Sequence, residues 1–188
     1  MAAKSFCTTS RSAISCRRRQ RDGIVYVTED RKVEGFFETK SIADNIYLGL
    51  LAKLRGQRKL VSKREATEVG ERLIKRLSIR AIGKDVKAIE LSGGNQQKLV
   101  IAKSLVQEPD VVIFDEPTRG VDVNAITEIH QLINRLADEG KAVVVISSYL
   151  PEVMALSDRI LVCRMGKVVE EFSALEATEE KIMYAAIH

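Results

Sequence analysis

The 188-residue chain contains no tryptophan, and aromatic residues make up only 5% of it. It therefore shows no hint of a surface on which nucleic-acid bases stack. No apolar run approaches the roughly 20 residues needed to cross a bilayer as a helix. There are three cysteines, Cys7, Cys16 and Cys163, an odd number without metal-ligand spacing. They read as reduced thiols of a cytosolic protein, Cys163 being a small core residue of an apolar strand. No G-x-x-x-x-G-K-[ST] segment, the usual phosphate-cradling loop, occurs anywhere in the sequence. A basic folded domain is missing as well. The whole chain carries +4; Lys4, Arg11, Arg17, Arg18, Arg19 and Arg21, with no acid among residues 1–21, supply +6, so residues 22–188 carry −2. That removes the main argument for a nucleic-acid partner.

What remains is ordinary globular material, 45% hydrophobic and 30% charged, sufficient for about one domain with a real core. Ile24 to Val27 reads as a strand, and the segment from Glu29 onward as a loop. Ser41 to Leu54 reads as a helix burying Ile46, Leu48 and Leu51. Residues 64–79 read as a helix with Val69, Leu73 and Leu77 on one stripe. Leu99, Ala102 and Val106 mark another helix. Val111 to Phe114 is a short apolar run, suited to a parallel strand buried on both faces. A helix follows from about Val123 to Ala137, with Ile126, Ile129, Ile133 and Leu136 at helical spacing and Gly140 ending it. Ala142 to Ile146 reads as another buried strand, and Pro151 as the first turn of a short helix. Arg159 to Cys163 and Lys167 to Phe172 form a predicted hairpin around Met165-Gly166. A terminal helix is expected after Ser173, with Glu176 completing a capping box. Strands alternating with helices give an α/β domain with a largely parallel sheet and helices on both faces.

The basic segment 1–21 is expected to be a disordered tail, too poor in apolar residues to offset its ordering entropy. Three origins fit its composition: a transit peptide, an arm for acidic partners, or the product of a truncated or frame-shifted reading frame. The third is favoured, because a transit peptide joined directly to a partial domain would be an odd gene product.

Two segments carry the chemistry. In Leu91-Ser92-Gly93-Gly94-Asn95-Gln96-Gln97-Lys98 the glycines allow close approach of backbone to an anion and unusual dihedrals. The helical pattern that follows puts Ser-Gly-Gly at a helix N-terminus, where free N–H groups and the macrodipole favour a phosphate. In Val111-Val112-Ile113-Phe114-Asp115-Glu116-Pro117 two carboxylates stand at the carboxyl end of a predicted parallel strand, where ligands of such sheets bind. Asp115 could hold Mg²⁺ through water, and Glu116 could orient or deprotonate an attacking water. Taken singly, each has a plainer reading: a serine-capped helix, and a strand ending in an acidic turn.

The first segment resembles the signature loop of ATP-binding cassette (ABC) ATPases and the second their Walker B strand. Together with Thr118-Arg119-Gly120-Val121-Asp122, Ser147-Ser148-Tyr149-Leu150-Pro151-Glu152 and Glu29-Asp30-Arg31-Lys32, they resemble one branch of that family. It is the ATP-binding protein of bacterial monosaccharide importers of the ribose, xylose and galactose type, in its second nucleotide-binding domain. The resemblance runs from about Gly23 to the C-terminus and implies a partial P-loop NTPase-like cassette over residues 22–188. In this reading 38–90 is the helical, permease-facing part and 91–188 runs from the signature onward. The family's phosphate-loop strand belongs upstream of the E-D-R-K segment, so the chain reads as N-terminally truncated.

The same resemblance assigns roles. ATP and Mg²⁺ are the implied cofactors. Ser92, Gly93, Gly94 and Asn95 would meet the ATP of a companion domain, because ABC domains pair head to tail with each nucleotide between one phosphate loop and the other signature. Asp122 matches the D-loop acid at that interface. Glu116 takes the general-base position, and Asp115 with Glu29 the metal position. Two matches depart from the family: Glu29 stands where a metal-sensing Gln is usual, and Ser148 where a switch His is usual. Serine carries no positive charge, so this half's own ATP site is expected to be degenerate, although Glu116 is retained. The implied partners are a companion nucleotide-binding domain, sugar permease subunits and, indirectly, a periplasmic sugar-binding protein, with no nucleic acid. The implied location is peripheral, on the cytoplasmic side of the membrane. Phe36, Phe37 and Ser41 to Leu54 fall in the permease-facing region, where core packing would explain the two phenylalanines equally well. The rival classes are a non-transport ABC protein acting on ribosomes or DNA, and a nonfunctional fragment.

Overall fold

In the computed structural model, residues 23–54, 63–83 and 85–188 are described; the basic segment 1–21 lies outside them. These residues fall into two compact units, 23–144 and Val145–His188.

In the first unit, strand β1 (Ile24–Val27) pairs in parallel with β2 (Val111–Asp115), Tyr26 lying opposite Ile113 and Val27 opposite Phe114. The order is completed by β3 (Ala142–Ile146), whose first three residues belong to this unit and whose Ala142 N–H donates to Asp110 O at 2.9 Å. Val25, Val27, Val112 and Phe114 are buried. Val111 and Ile113 are only half-buried, so β2 is not sealed on both faces as its apolar run predicts. The same correction applies more strongly to β3. Val144 is 46% and Ile146 45% exposed; being last in the strand order is not the cause, since β1 ends the other side with Val25 and Val27 buried, so the difference lies in what covers the strand's faces among the described residues.

Helix α1 (Ile42–Leu54) buries Ile42, Asn45, Ile46 and Gly49, an i, i+3, i+4, i+7 stripe. Leu48 is half-buried and Leu51 is 39% exposed, against expectation. The cause lies at Gly49, where a Cβ would stand 2.2 Å from Lys103 O. The α1 backbone thus lies directly on helix α3 (Gly93–Leu105), which fixes the buried face and rotates Leu51 out. Asn45 anchors the preceding loop, accepting from Phe37 N–H at 2.8 Å and donating to Phe37 O at 3.1 Å and Ser41 O at 3.0 Å. Phe36 is buried in the core, whereas Phe37 is 54% exposed.

Helix α2 (Lys63–Arg76) buries Leu73, with Leu77 behind it. It ends in a Schellman turn, Ile79 N–H bonding Ile74 O at 3.0 Å and Ser78 N–H bonding Lys75 O at 3.1 Å, with Ser78 left-handed at φ +51°. Helix α4 (Val123–Asp138) buries Ala125, Ile129, Leu132, Ile133 and Leu136, and ends in the same motif at Gly140. The segment after Glu29 is not a plain loop. Asp30 caps a wide helical turn at Arg31–Gly35, accepting from Lys32 N–H at 3.2 Å and Val33 N–H at 3.1 Å. This is N-cap chemistry that a search for apolar periodicity passes over.

In the second unit, helix α5 (Leu150–Leu156) carries Pro151 in its first turn. Strands β4 (Arg159–Arg164) and β5 (Lys167–Ser173) form the expected antiparallel hairpin, with an irregularity at Val162/Cys163. Its two turn residues, Met165 and Gly166, both have positive φ. Ile160, Val162, Ala177 and Ile182 form the core, flanked by Leu150, Val153 and Phe172. Helix α6 (Glu179–Ile187) starts later than the capping box predicts. Ser173 Oγ donates to the Glu176 carboxylate at 2.8 Å instead of capping, and Thr178 is the N-cap, accepting from Lys181 N–H at 3.3 Å.

Candidate nucleotide site

The Ser-Gly-Gly turn lies at the N-terminus of α3 as expected, but its glycines serve a different need. Neither Gly93 nor Gly94 has a positive φ. Both sit in tight contacts instead: a Cβ on Gly94 would lie 2.4 Å from Ala125 Cβ of α4, and one on Gly93 would lie 3.2 Å from both Arg31 Nη2 and Gly120 O. The expectation of unusual dihedrals gives way to close packing of the signature turn on the segment that follows β2. Ser92 is exposed at the N-cap, with no capping bond from its side chain. Its hydroxyl accepts from Asn95 Nδ2 at 2.9 Å, while Asn95 Oδ1 accepts from Arg80 N–H at 2.9 Å. Asn95 thus ties the loop after α2 to the first residue of the signature turn.

Behind the turn, Lys98 is buried and its ammonium bonds Ser78 O at 3.2 Å and the Glu128 carboxylate of α4. That hydrogen bond is the main reason the Glu128 carboxyl is held below the ordinary carboxylate range, and Arg80, bonded to its other oxygen at 2.8 Å, adds to it.

At the end of β2, Asp115 is buried and accepts a hydrogen bond from the Tyr26 hydroxyl. The contact follows from register: Tyr26 lies opposite Ile113, and Asp115, two residues on, shares that face. Burial, the bond to Asp115 and that carboxylate's charge push the Tyr26 phenol far above its ordinary range, so it stays a donor. Glu116 adopts a left-handed conformation, φ +47°, unusual for a residue with a Cβ. The chain then turns through Gly120 into α4, whose N-cap is Asp122, accepting from Ala125 N–H at 3.0 Å.

Glu29 makes an ion pair with Arg119. Arg31 Nη1 donates to Arg119 O at 2.8 Å and Arg31 Nη2 to Gly120 O at 3.0 Å. The E-D-R-K segment is therefore strapped onto the turn after β2. Ser148 is exposed in the second unit, while Glu29, Asp115 and Glu116 belong to the first.

The carboxylates do not fit a resident metal as they stand. Asp115 is engaged by Tyr26 and Glu29 by Arg119. Among the described residues, no group of three His, Cys, Asp or Glu side chains is placed to hold a metal ion. Sequence reasoning missed Tyr26, Arg31 and Arg119 as site residues. Arg31 had a visible signal, since it stands inside the E-D-R-K segment. Tyr26 had only a weak one, a hydroxyl on a short apolar strand.

A family model for ABC transporters matches residues 7–119, which include the signature turn and the Walker B strand. The chain belongs to the ABC transporter family. The ribose import ATP-binding protein RbsA 2 of Rubrobacter xylanophilus is 47% identical over 172 residues, covering 92% of this chain and 33% of that protein. The protein of the same name from Rhizobium meliloti is 48% identical over 164 residues, covering 87% of this chain and 32% of that one. The chain thus spans about a third of the length of these curated relatives. Among solved structures, the dimeric bacterial ABC transporter cassette MJ0796 matches with a TM-score of 0.70 at 25% identity, over 83% of this chain and 65% of that one. The fold is an ABC cassette of the P-loop NTPase type, present in part. Nucleotide binding is the common property of this family. No helix among the described residues is long and apolar enough to cross a membrane.

Proposed function

We propose that this chain is the second-half cassette of a bacterial monosaccharide importer, and that its signature turn completes the ATP site of a companion nucleotide-binding domain. Coupling of ATP hydrolysis to sugar uptake would then depend on the companion's catalytic residues. The observation that carries this reading is a contrast within one unit. Ser92 is exposed at the N-terminus of the 13-residue helix α3, where dipole and free N–H groups favour a phosphate, and its hydroxyl is held by Asn95. The carboxylates of the chain's own site, Asp115 and Glu29, are instead engaged by Tyr26 and Arg119. Ser92, Gly93, Gly94 and Asn95 form or support the surface that meets the companion's ATP, and Asp122 orders the adjoining turn from the N-cap of α4. Glu116 keeps the general-base position and Ser148 replaces the switch histidine. Any Mg²⁺ arrives with the nucleotide.

The sugar-import assignment rests on the ribose import ATP-binding proteins that this chain resembles and on its E-D-R-K and S-S-x-x-P-E segments. In an importer the cassette works at the cytoplasmic face of the membrane, docked on sugar permease subunits that receive sugar from a periplasmic binding protein. Phe37, 54% exposed just before the 38–90 region, and Ile89, 54% exposed within it, are apolar side chains available to the permease.

The test mixes the chain with a companion first-half cassette and follows association by sedimentation. Association should require ATP and disappear in Ser92→Arg, while the chain alone should bind Mg-ATP weakly and hydrolyse none. Micromolar Mg-ATP binding by the chain alone, weakened by Asp115→Asn, would overturn the proposal.

A further inference from the structure

Three segments that are distant in sequence meet at one side chain. Arg31 comes from the capped turn after β1. Its Nη1 and Nη2 each donate to a carbonyl of the turn after β2, at Arg119 and Gly120. The same Nη2 lies 3.2 Å from the point where Gly93 would carry a Cβ, so the first glycine of the signature turn is the seat of this guanidinium. A second bond fastens the same strap, the Glu29–Arg119 ion pair two residues earlier. The Arg31 Nε is buried without a hydrogen-bond partner among the described residues. The planar fork is therefore set by the two carbonyls, at the expense of its third donor direction. Next along the chain, Asp122 caps α4, and α4 presses Ala125 against Gly94.

We infer that Arg31 is a positioning residue for the signature turn: it locks the turn after β2 and its D-loop aspartate in register with Ser92-Gly93-Gly94. The E-D-R-K segment is then a mechanical strap on the trans-acting surface. This goes further than the proposed function and rests on it in one respect, that Ser92 to Asn95 face a companion's ATP. Arginine is required for its geometry. Arg31 meets the two carbonyls with separate nitrogens of one rigid plane, whereas lysine would have to reach both from one ammonium at the end of a flexible stem. A charge-only role would be satisfied by either residue.

The experiment has two arms. In the first, amide hydrogen exchange is measured on the 188-residue chain as wild type, Arg31→Met and Arg31→Lys. The Gln96, Val121 and Ala125 amides, bonded to Ser92 O, Thr118 O and Asp122 Oδ1, should exchange about tenfold faster in both variants, with the thermal midpoint little changed, because the opening is local. In the second, the chain is paired with a companion cassette and ATP turnover is followed. Both variants should lose about tenfold in kcat with KM for ATP within about threefold, the pattern of a group that acts after the nucleotide is bound. Unchanged exchange in these amides would overturn the inference. So would faster exchange with full kcat, or complete rescue by lysine. Ser92→Arg serves as the control. If it leaves paired turnover intact, the trans-site reading has failed, and the exchange arm alone then decides the clamp.

Discussion

Lys98 illustrates how single residues hold this site in place. Its ammonium is buried and is neutralised by Glu128. Glu128 lies on a different helix and is a third exposed, so the pair is worth less than a fully buried one. Replacing Glu128 by Gln should lower stability at neutral pH by about 1–2 kcal/mol, much of it from stranding the lysine. The pH dependence has a definite sign. The Glu128 carboxyl is held below its ordinary range in the fold. Its contribution is therefore complete above the unfolded-state pKa of about 4.3 and lost as pH falls through the lower folded value. Denaturant midpoints of wild type and Glu128→Gln, compared from pH 7 down to pH 3, should converge at the acid end. A constant gap across that range would show that Glu128 acts through shape alone.

Residue types gave the chemistry of the site but not its wiring. Ser92, Gly93, Gly94, Asp115 and Glu116 were legible because their spacing relative to a helix and a strand is local information. That Tyr26 bonds Asp115 depends on the parallel register between strands 84 residues or more apart in sequence, where Tyr26 lies opposite Ile113. That Gly93 seats Arg31 depends on three loops converging, which no periodicity encodes.

The helices and turns show where local rules suffice and where packing overrides them. Gly140 could be read directly as the stop of α4, since a left-handed C-terminal residue favours glycine. Leu51 could not be placed, because the contact of Gly49 with α3 selects the buried face of α1. Two turns carry the wrong residue for their backbone. Ser78 closes the Schellman turn of α2 at φ +51°, and Ser78→Gly should stabilise the chain by about 0.5–1 kcal/mol. Met165 occupies the first of two positive-φ positions in the β4–β5 hairpin and is 95% exposed. Met165→Asn should give a similar gain, because Asn-Gly is the preferred pair there. Thermal unfolding should show each midpoint raised by roughly 1–4 °C and the two shifts adding in the double variant, given turns that share no partner. No rise in either variant would mean that the positive-φ residues carry no penalty.

For the molecule as a whole, the α/β class, the strands and the order of helices follow from the sequence pattern, and the ABC fold follows from its comparison with known cassettes. Less legible was the exposure of β3, because an apolar run does not reveal what packs on the faces of its strand. Ser92 of the signature turn is exposed and held by Asn95, while the chain's own carboxylates are engaged by its own tyrosine and arginine. The most direct test is ATP turnover in a complete transporter containing this half, assayed in membranes with binding protein and sugar. Ser92→Arg places a bulky cation against the helix dipole at the phosphate position and should leave less than about a tenth of wild-type turnover, while Glu116→Gln should stay within about threefold of wild type. Equal loss from the two variants would contradict the account, because it would mean that the site beside Glu116 turns over ATP itself.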